Sequence, residues 1–512
     1  MSADWRPVPR SLAVLVAVAG LLWTGAAPAV GYQNQARPQA VASWTMVPQS
    51  KDANGDGVID GDGGVPKSGA TSRQPSSVYV GAGNRIAQPH ERLIGGSLSW
   101  YLSPRGFPVR LNACESRGTT ARWTITAPGF ATRTLPWKPL SKSCSRTVFL
   151  PEGQYTARLD VRSAGRTARE SVPLNVRNIL VVALGDSYAS GEGNPRNVQA
   201  WIREGGGLDP YWDEDGCHRS ARGAPALAAL ALEKSSARTS VTLVDVACSG
   251  ATVNQGVLGA QPGAGQATSQ VEQAAAIIGN NQPDLILLSV GGNDVGFTSI
   301  LQTCALNADC PLATPSPGPL AGFPDVQTGV QARTAELAGS YQSIANCLGG
   351  GTCVLADGRT VPGLSVAEGG SVLPTLYPDI TRAANGAPCS YLTVPAQDFA
   401  WAQSTILSPQ PPASYAYPLT SGGTANLSVA SGSLNQQVAS SGRFAGWAPV
   451  AGTWSSWATS PEGHGVCAGS ASWVFGFTGF TGFPSASFHP NPTGQRVLGT
   501  AIAAAAAGAL QG

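Results

Sequence analysis

Three stretches of this chain are apolar at nearly every position: ILVVAL (179–184), VTLVDVA (241–247) and LILLSV (285–290). A strand with one face in water alternates apolar and polar side chains. An unbroken run of this length therefore marks a strand covered on both faces, as in a parallel sheet flanked by helices. Alanine-rich segments such as APALAALALEK (224–234) lie between the runs and supply the covering helices. From residue 178 to 512 the sequence predicts an α/β domain wound on a parallel sheet. Its loops are long, and 400–460 is rich in Ser, Gly, Pro and Trp with little periodicity. The alanine-rich LGTAIAAAAAGAL (498–510) reads as a last helix packed on the core.

Upstream the period changes. In QYTARLDVR (154–162), Tyr155, Ala157, Leu159 and Val161 fall on one face, and Thr156, Arg158 and Asp160 on the other. RWTIT (122–126) alternates likewise. Short alternating runs broken by Gly, Pro and Ser predict a small β-sandwich over 78–177. The stretch PEGQYTARLDV resembles immunoglobulin-like or PKD-like modules of secreted bacterial proteins, and the expected role is binding or spacing.

Residues 30–77 are Gly/Ser/Pro/Gln-rich and read as a flexible linker. Inside it, DANGDGVIDGDGG sets Asp52, Asn54 and Asp56 at positions 1, 3 and 5 of a calcium loop, with Gly57 at the turn and Asp60 at position 9. Position 12, where a bidentate Glu usually stands, is Gly63. The expectation is a weakly held structural calcium, with a solvated acidic turn as the alternative. At the N-terminus, Arg6 and Arg10 precede an apolar run from Leu12 to Trp23, followed by small residues at Ala27 and Ala29. This is the plan of a secretory signal over 1–29. Its apolar run is too short to span a bilayer comfortably, so after cleavage an exported protein without a transmembrane segment is expected.

Ten cysteines suit an oxidising compartment. Cys304/Cys310 and Cys347/Cys353 are close enough in sequence to staple single loops, and Cys114 and Cys144 fall in the strand-rich region. For Cys217, Cys248, Cys389 and Cys467 the most local pairing is 217–248 with 389–467. Zinc is disfavoured because no C-x-x-C pair exists. A net charge of +2 with 12% charged residues, and no Lys/Arg run, excludes nucleic acid as a partner.

In a parallel sheet, ligands gather beyond the C-terminal strand ends. The first run ends at Gly185-Asp186-Ser187, the second in ACSGAT with Gly250, and the third in SVGGND with Asn293. His489 comes far downstream in SASFHPNPTG. A serine hydroxyl is a weak nucleophile until a base takes its proton, and a histidine can do so near neutrality. The backbone amides of Ser187 and Gly250 and the side-chain amide of Asn293 would then hold the oxyanion.

These blocks, Gly185-Asp186-Ser187, Gly250, Gly291-x-Asn293 and His489, resemble in order the motifs of the SGNH (GDSL-type) hydrolase family. The resemblance implies a flavodoxin-like three-layer sandwich and hydrolysis of carboxylic esters through an acyl-enzyme on Ser187, with His489 as base and no cofactor for catalysis. Cys217 in CHRSA and Cys467 in GHGVC resemble the family's secreted bacterial esterases. That likeness implies the disulfides 217–248, 304–310 and 389–467, with 347–353 added by proximity. One position departs from the family: Ala486 stands where an Asp usually orients the histidine. Relatives that work as Ser–His dyads imply a backbone carbonyl at Ala486 as orienter, with Asp379 or Asp398 as carboxylates that another loop could supply. Asp186 is expected to satisfy loop amides. His218 and His464, beside predicted disulfides, are expected to serve loop packing.

Next to the histidine, WVFGFTGFTGFP (473–484) repeats Phe477, Phe480 and Phe483, suited to an acyl pocket or lid, or to core packing. Trp401, Trp447, Trp454 and Trp457 offer aromatic surface to lipid chains or sugar faces. The leading expectation is a secreted esterase or lipase. The alternatives are a carbohydrate esterase acting on polysaccharide docked by the β-sandwich, and a non-catalytic polysaccharide-binding or adhesive protein.

Overall fold

The structure is a computed structural model that describes residues 37–50, 52, 54–59, 93–94, 97–98, 106–203, 210–458, 462–478 and 484–511. The expected signal (1–29), Asp60, Gly63, Phe480 and Phe483 lie outside the described residues.

An N-terminal β unit contains β1 (Ser43–Met46), β2 (Phe107–Asn112), β3 (Thr120–Ala127), β4 (Phe130–Thr134), β5 (Ser145–Leu150) and β6 (Gly153–Ser163). β1, β2 and β5 form one antiparallel sheet, and β4, β3 and β6 continue another. Trp44, Leu111, Trp123, Ile125, Leu159 and Val161 are buried in one shared core. The period-two reading accounts for the last four, because every second side chain of β3 and β6 points inward.

β7 (Arg166–Gly185) joins the two halves of the molecule. Its first part pairs antiparallel with β6, from Arg166 opposite Ser163 to Val176 opposite Gly153. From Arg177 it pairs in parallel with β8 (Thr239–Asp245), and from Val181 with β9 (Leu285–Ser289). β10 (Ser371–Pro374) lies parallel on the far side of β9. Burial along β7 alternates as far as Arg177 and is continuous from Asn178. The expected boundary at 177/178 thus falls inside a single strand. The change of pattern marks where that strand leaves a sheet with one wet face and enters one covered on both.

The result is a mixed α/β molecule with a mostly parallel central sheet. Helices α2 (Ala224–Ser235) and α9 (Pro492–Ala509) pack on each other, and α2 packs on β8. Between them in sequence lie α3 (Gln270–Ile278), α4 (Phe297–Leu306), α5 (Val326–Leu348), α6 (Ala396–Ala402), α7 (Leu434–Phe444) and α8 (Gly452–Ala458). The four-residue α1 (Ser187–Ser190) follows β7 directly. Among the described residues no helix is long and apolar enough to cross a membrane.

Two expectations need correction. The segments 37–50 and 54–59 are not a free linker: β1 belongs to the β unit, and Val58 and Ile59 are buried in the core of the α/β half. The Glu233 carboxylate accepts the Gln49 and Ser50 N–H groups, each at 3.1 Å, straps the segment to α2, and is pushed up to about 7 by burial. The composition is loop-like, but those backbone groups find partners on another domain. The 400–460 region also holds helices and the hairpin Ser414–Pro418/Thr424–Ser428, and two of its four tryptophans offer no surface to a substrate. Trp401 and Trp457 are fully buried, while Trp447 and Trp454 pack against the core.

Five disulfides link Cys114–Cys144, Cys217–Cys248, Cys304–Cys310, Cys347–Cys353 and Cys389–Cys467, and such bonds are compatible with export. In the acidic loop, Asp52 accepts Gly57 N–H at 3.1 Å and pairs with Lys234 Nζ at 2.5 Å. Asn54 and Asp56 carboxyl or amide oxygens accept the N–H groups two residues on, at 2.9 and 3.0 Å.

Candidate active site

The site is built at the C-terminal ends of β7, β8 and β9. β7 must end in glycine, because a Cβ at Gly185 would lie 2.1 Å from the Ser289 carbonyl oxygen of β9. Gln270 clamps the same residue, its Oε1 accepting Gly185 N–H at 2.7 Å and its Nε2 donating to Gly185 O at 2.8 Å. Asp186 then caps α1 by accepting Tyr188 N–H at 3.0 Å. Its carboxyl also accepts the Ser289 and Tyr377 hydroxyls, and burial pushes it up to about 7. This turn presents Ser187 at the first helical position, where the backbone N–H has no carbonyl in the preceding turn.

His489 reaches Ser187 from the opposite end of the domain, with Nε2 at 2.8 Å from the serine Oγ. Its Nδ1 lies 3.0 Å from the Ser487 carbonyl oxygen. The expected orienting carbonyl at Ala486 is therefore corrected by one residue. Ala486 O instead accepts the His489 backbone N–H at 3.0 Å and closes the turn, leaving the next carbonyl to face the ring. Phe488 adopts φ 61°, a left-handed conformation uncommon for a bulky residue, and Tyr188 Oη donates to its carbonyl at 3.1 Å. Neither alternative carboxylate meets the ring. Asp379 serves Thr381, Arg382 and Gln403, and Asp398 serves Tyr417.

Gly250 follows β8 at φ 79°, which favours glycine, and the loop is tied by Cys217–Cys248 and by Cys248 N–H to Gly185 O at 2.9 Å. Asn293 Nδ2 donates to Ala251 O at 3.0 Å, which leaves its second N–H for a ligand. Asp294 Oδ1 accepts Val253 N–H at 3.0 Å and locks the two loops together. Ser187 and His489 are thus in direct contact, while Gly250 and Asn293 stand on two neighbouring loops joined by the Asn293–Ala251 hydrogen bond.

Beside Ser187 and Asn293 opens a cavity of about 420 Å³. Phe297, Ile300, Leu301, Tyr391, Phe399 and Ile406 form much of its wall, and Phe477 stands at 46% exposure. Tyr377, Gln270, Glu192 and Phe297 carry no sequence signal that would have placed them here. Tyr188, adjacent to the serine and 5.4 Å from the His489 ring, could have been noticed. His464 stacks on Trp473 at 3.4 Å, a packing role. His218 does more than pack: its Nδ1 meets the buried Glu192 at 2.7 Å.

An α/β fold with a serine hydroxyl on a histidine at the strand ends defines a serine hydrolase architecture. Residues 181–314 match the family described as GDSL-like lipase/acylhydrolase, the segment that holds Ser187, Gly250 and Asn293. That segment is thus similar to the GDSL-like acylhydrolases whose motifs the sequence resembles. No curated protein matches the chain. Among solved structures it is similar to a carbohydrate acetylesterase from Xanthomonas citri, at 9% identity and a TM-score of 0.20. That similarity covers 59% of this chain and 62% of the other.

Proposed function

We propose that the protein is an exported serine esterase that hydrolyses esters of apolar acyl chains. The observation that carries this reading is the Ser187–His489 contact at 2.8 Å, set at the mouth of the apolar cavity. In the proposed reaction His489 Nε2 takes the Ser187 proton as Oγ attacks the ester carbonyl. The amides of Ser187 and Gly250 with Asn293 Nδ2 receive the oxyanion, and the Ser487 carbonyl holds the ring's other N–H. His489 then protonates the departing alcohol, and water releases the acid by the same steps in reverse. No metal enters this route. An apolar cavity of this size favours lipid-like esters over acetylated sugar, and no observation favours the carbohydrate reading. Polysaccharide docking by the β unit finds no support either: Arg122 and Arg162 cover Trp137 on that unit at 4.8 and 4.1 Å. We read that unit as an immunoglobulin-like sandwich that spaces the hydrolase, and the 52–60 loop as a weak calcium site. Ser187→Ala tests the central claim. It is expected to reduce hydrolysis of p-nitrophenyl butyrate to background, and unchanged turnover would refute the reading.

A further inference from the structure

The carboxylate missing at position 486 leaves a question of charge. When Ser187 gives up its proton, a positive imidazolium forms on His489 in a site walled by Tyr188 and Phe297. A carboxylate does lie close by. Glu192 is fully buried just past α1, with its N–H donating to Ser187 O at 3.1 Å. Asn194 Nδ2 donates both to Glu192 O at 3.1 Å and to Pro490 O at 2.7 Å, so one amide ties the Glu192 turn to the residue after His489. Glu192 Oε2 meets His218 Nδ1 at 2.7 Å, and the Ser249 side chain is a further hydrogen-bonding neighbour of the carboxylate. Glutamate is almost never fully buried unless paired, and His218 supplies the pair here.

His218 is itself held in place. Its backbone is left-handed at φ 49°, it follows the Cys217 half of a disulfide, and its ring stacks on Trp212 at 4.8 Å. Glu214 and Asp215 are the other acids facing it, and Arg219 turns toward Glu214 and Asp245 at 4.0 and 3.9 Å. Resting on the reading of Ser187 and His489 as nucleophile and base, we infer that Glu192 is the carboxylate that serves His489. It acts across space rather than through a hydrogen bond, with His218 as its counter-charge. Glu192 is a positioning residue, because it touches neither the substrate nor the reacting atoms. Burial holds His489 below the ordinary imidazole value, the Glu192 charge pulls it up, and the His218 charge pulls it down.

The pair predicts opposite effects of its two members. Activity needs neutral His489, so kcat/KM rises with pH through the titration of that ring. Glu192→Gln removes the negative charge and keeps the shape. It is expected to move the acid limb down by about one pH unit and to lower kcat about tenfold at constant KM. His218→Asn, which keeps a donor near the Nδ1 position and tolerates left-handed backbone, is expected to move the limb up. The double variant is expected to return it near the wild type. The assay is the pH profile of p-nitrophenyl butyrate hydrolysis from pH 4 to 9, with Ser187→Ala as reference. Limbs that stay fixed, or that move the same way in both single variants, would overturn the inference. If Glu192→Gln does not fold, the direction of the His218→Asn limb decides alone. Activity surviving in Ser187→Ala would instead overturn the underlying enzyme reading.

Discussion

Acyl-chain length is the variable to which the cavity should respond most steeply. Each methylene moved from water into an apolar wall contributes about 0.8 kcal/mol, roughly fourfold in kcat/KM. The 420 Å³ beside Ser187 is finite, so the gain must stop once the chain fills it. Hydrolysis of p-nitrophenyl esters from acetate to laurate, measured below the micellar limit, should therefore climb by about a hundredfold or more between acetate and octanoate. It should level off within the series, where the cavity is full. Ala305, an exposed residue lining the cavity, gives the matching perturbation. Ala305→Trp should cut the octanoate rate to near that of acetate and leave acetate untouched. Acetate preferred over octanoate by the wild type, or equal losses on both esters in Ala305→Trp, would refute the assignment of this cavity to the acyl chain.

Asn293→Ala should lower kcat by about 10²–10³ with little change in KM, because the lost donor acts on the oxyanion and not on the bound ester. The same variant should melt within a few degrees of the wild type, as Asp294 still ties the two loops. The acid limb of kcat/KM should lie below the ordinary imidazole value, since burial lowers His489 and the neutral ring is the active form; a limb above pH 6.5 would contradict that sign. Millimolar calcium should raise the melting temperature by a few degrees over EDTA if the 52–60 loop binds it. Lys234→Ala, which removes the ammonium resting on Asp52, should enlarge that difference; no response in either protein would leave the loop as a plain turn.

Much of this molecule is written locally. The unbroken apolar runs could only become strands covered on both faces, and the loops that end them could only lie at one edge of the sheet. Ser187, Gly250 and Asn293 follow from that placement, because each stands just past a run. The switch from alternation to continuity at Asn178 even marks the point where β7 changes sheets. His489 was legible only with the help of motif order, since nothing local says that a loop 302 residues on will return to the serine.

What local pattern could not decide is how distant groups share partners. Whether the Ala486 or the Ser487 carbonyl faces the ring depends on which one the turn consumes, and that is settled by a single N–H. The docking of Gln49 and Ser50 depends on Glu233 in a helix far along the chain. Glu192 and His218 are an ordinary Glu and His in sequence, and they become an ion pair only when a disulfide and a stacked tryptophan hold the His218 loop in place. Sequence alone determined which segments must be buried and therefore where the reactive ends lie, since burial is a sum over local apolar surface. Only the tertiary structure decided which polar group answers which, because hydrogen bonds and charges are pairwise and the second member of each pair comes from elsewhere in the chain.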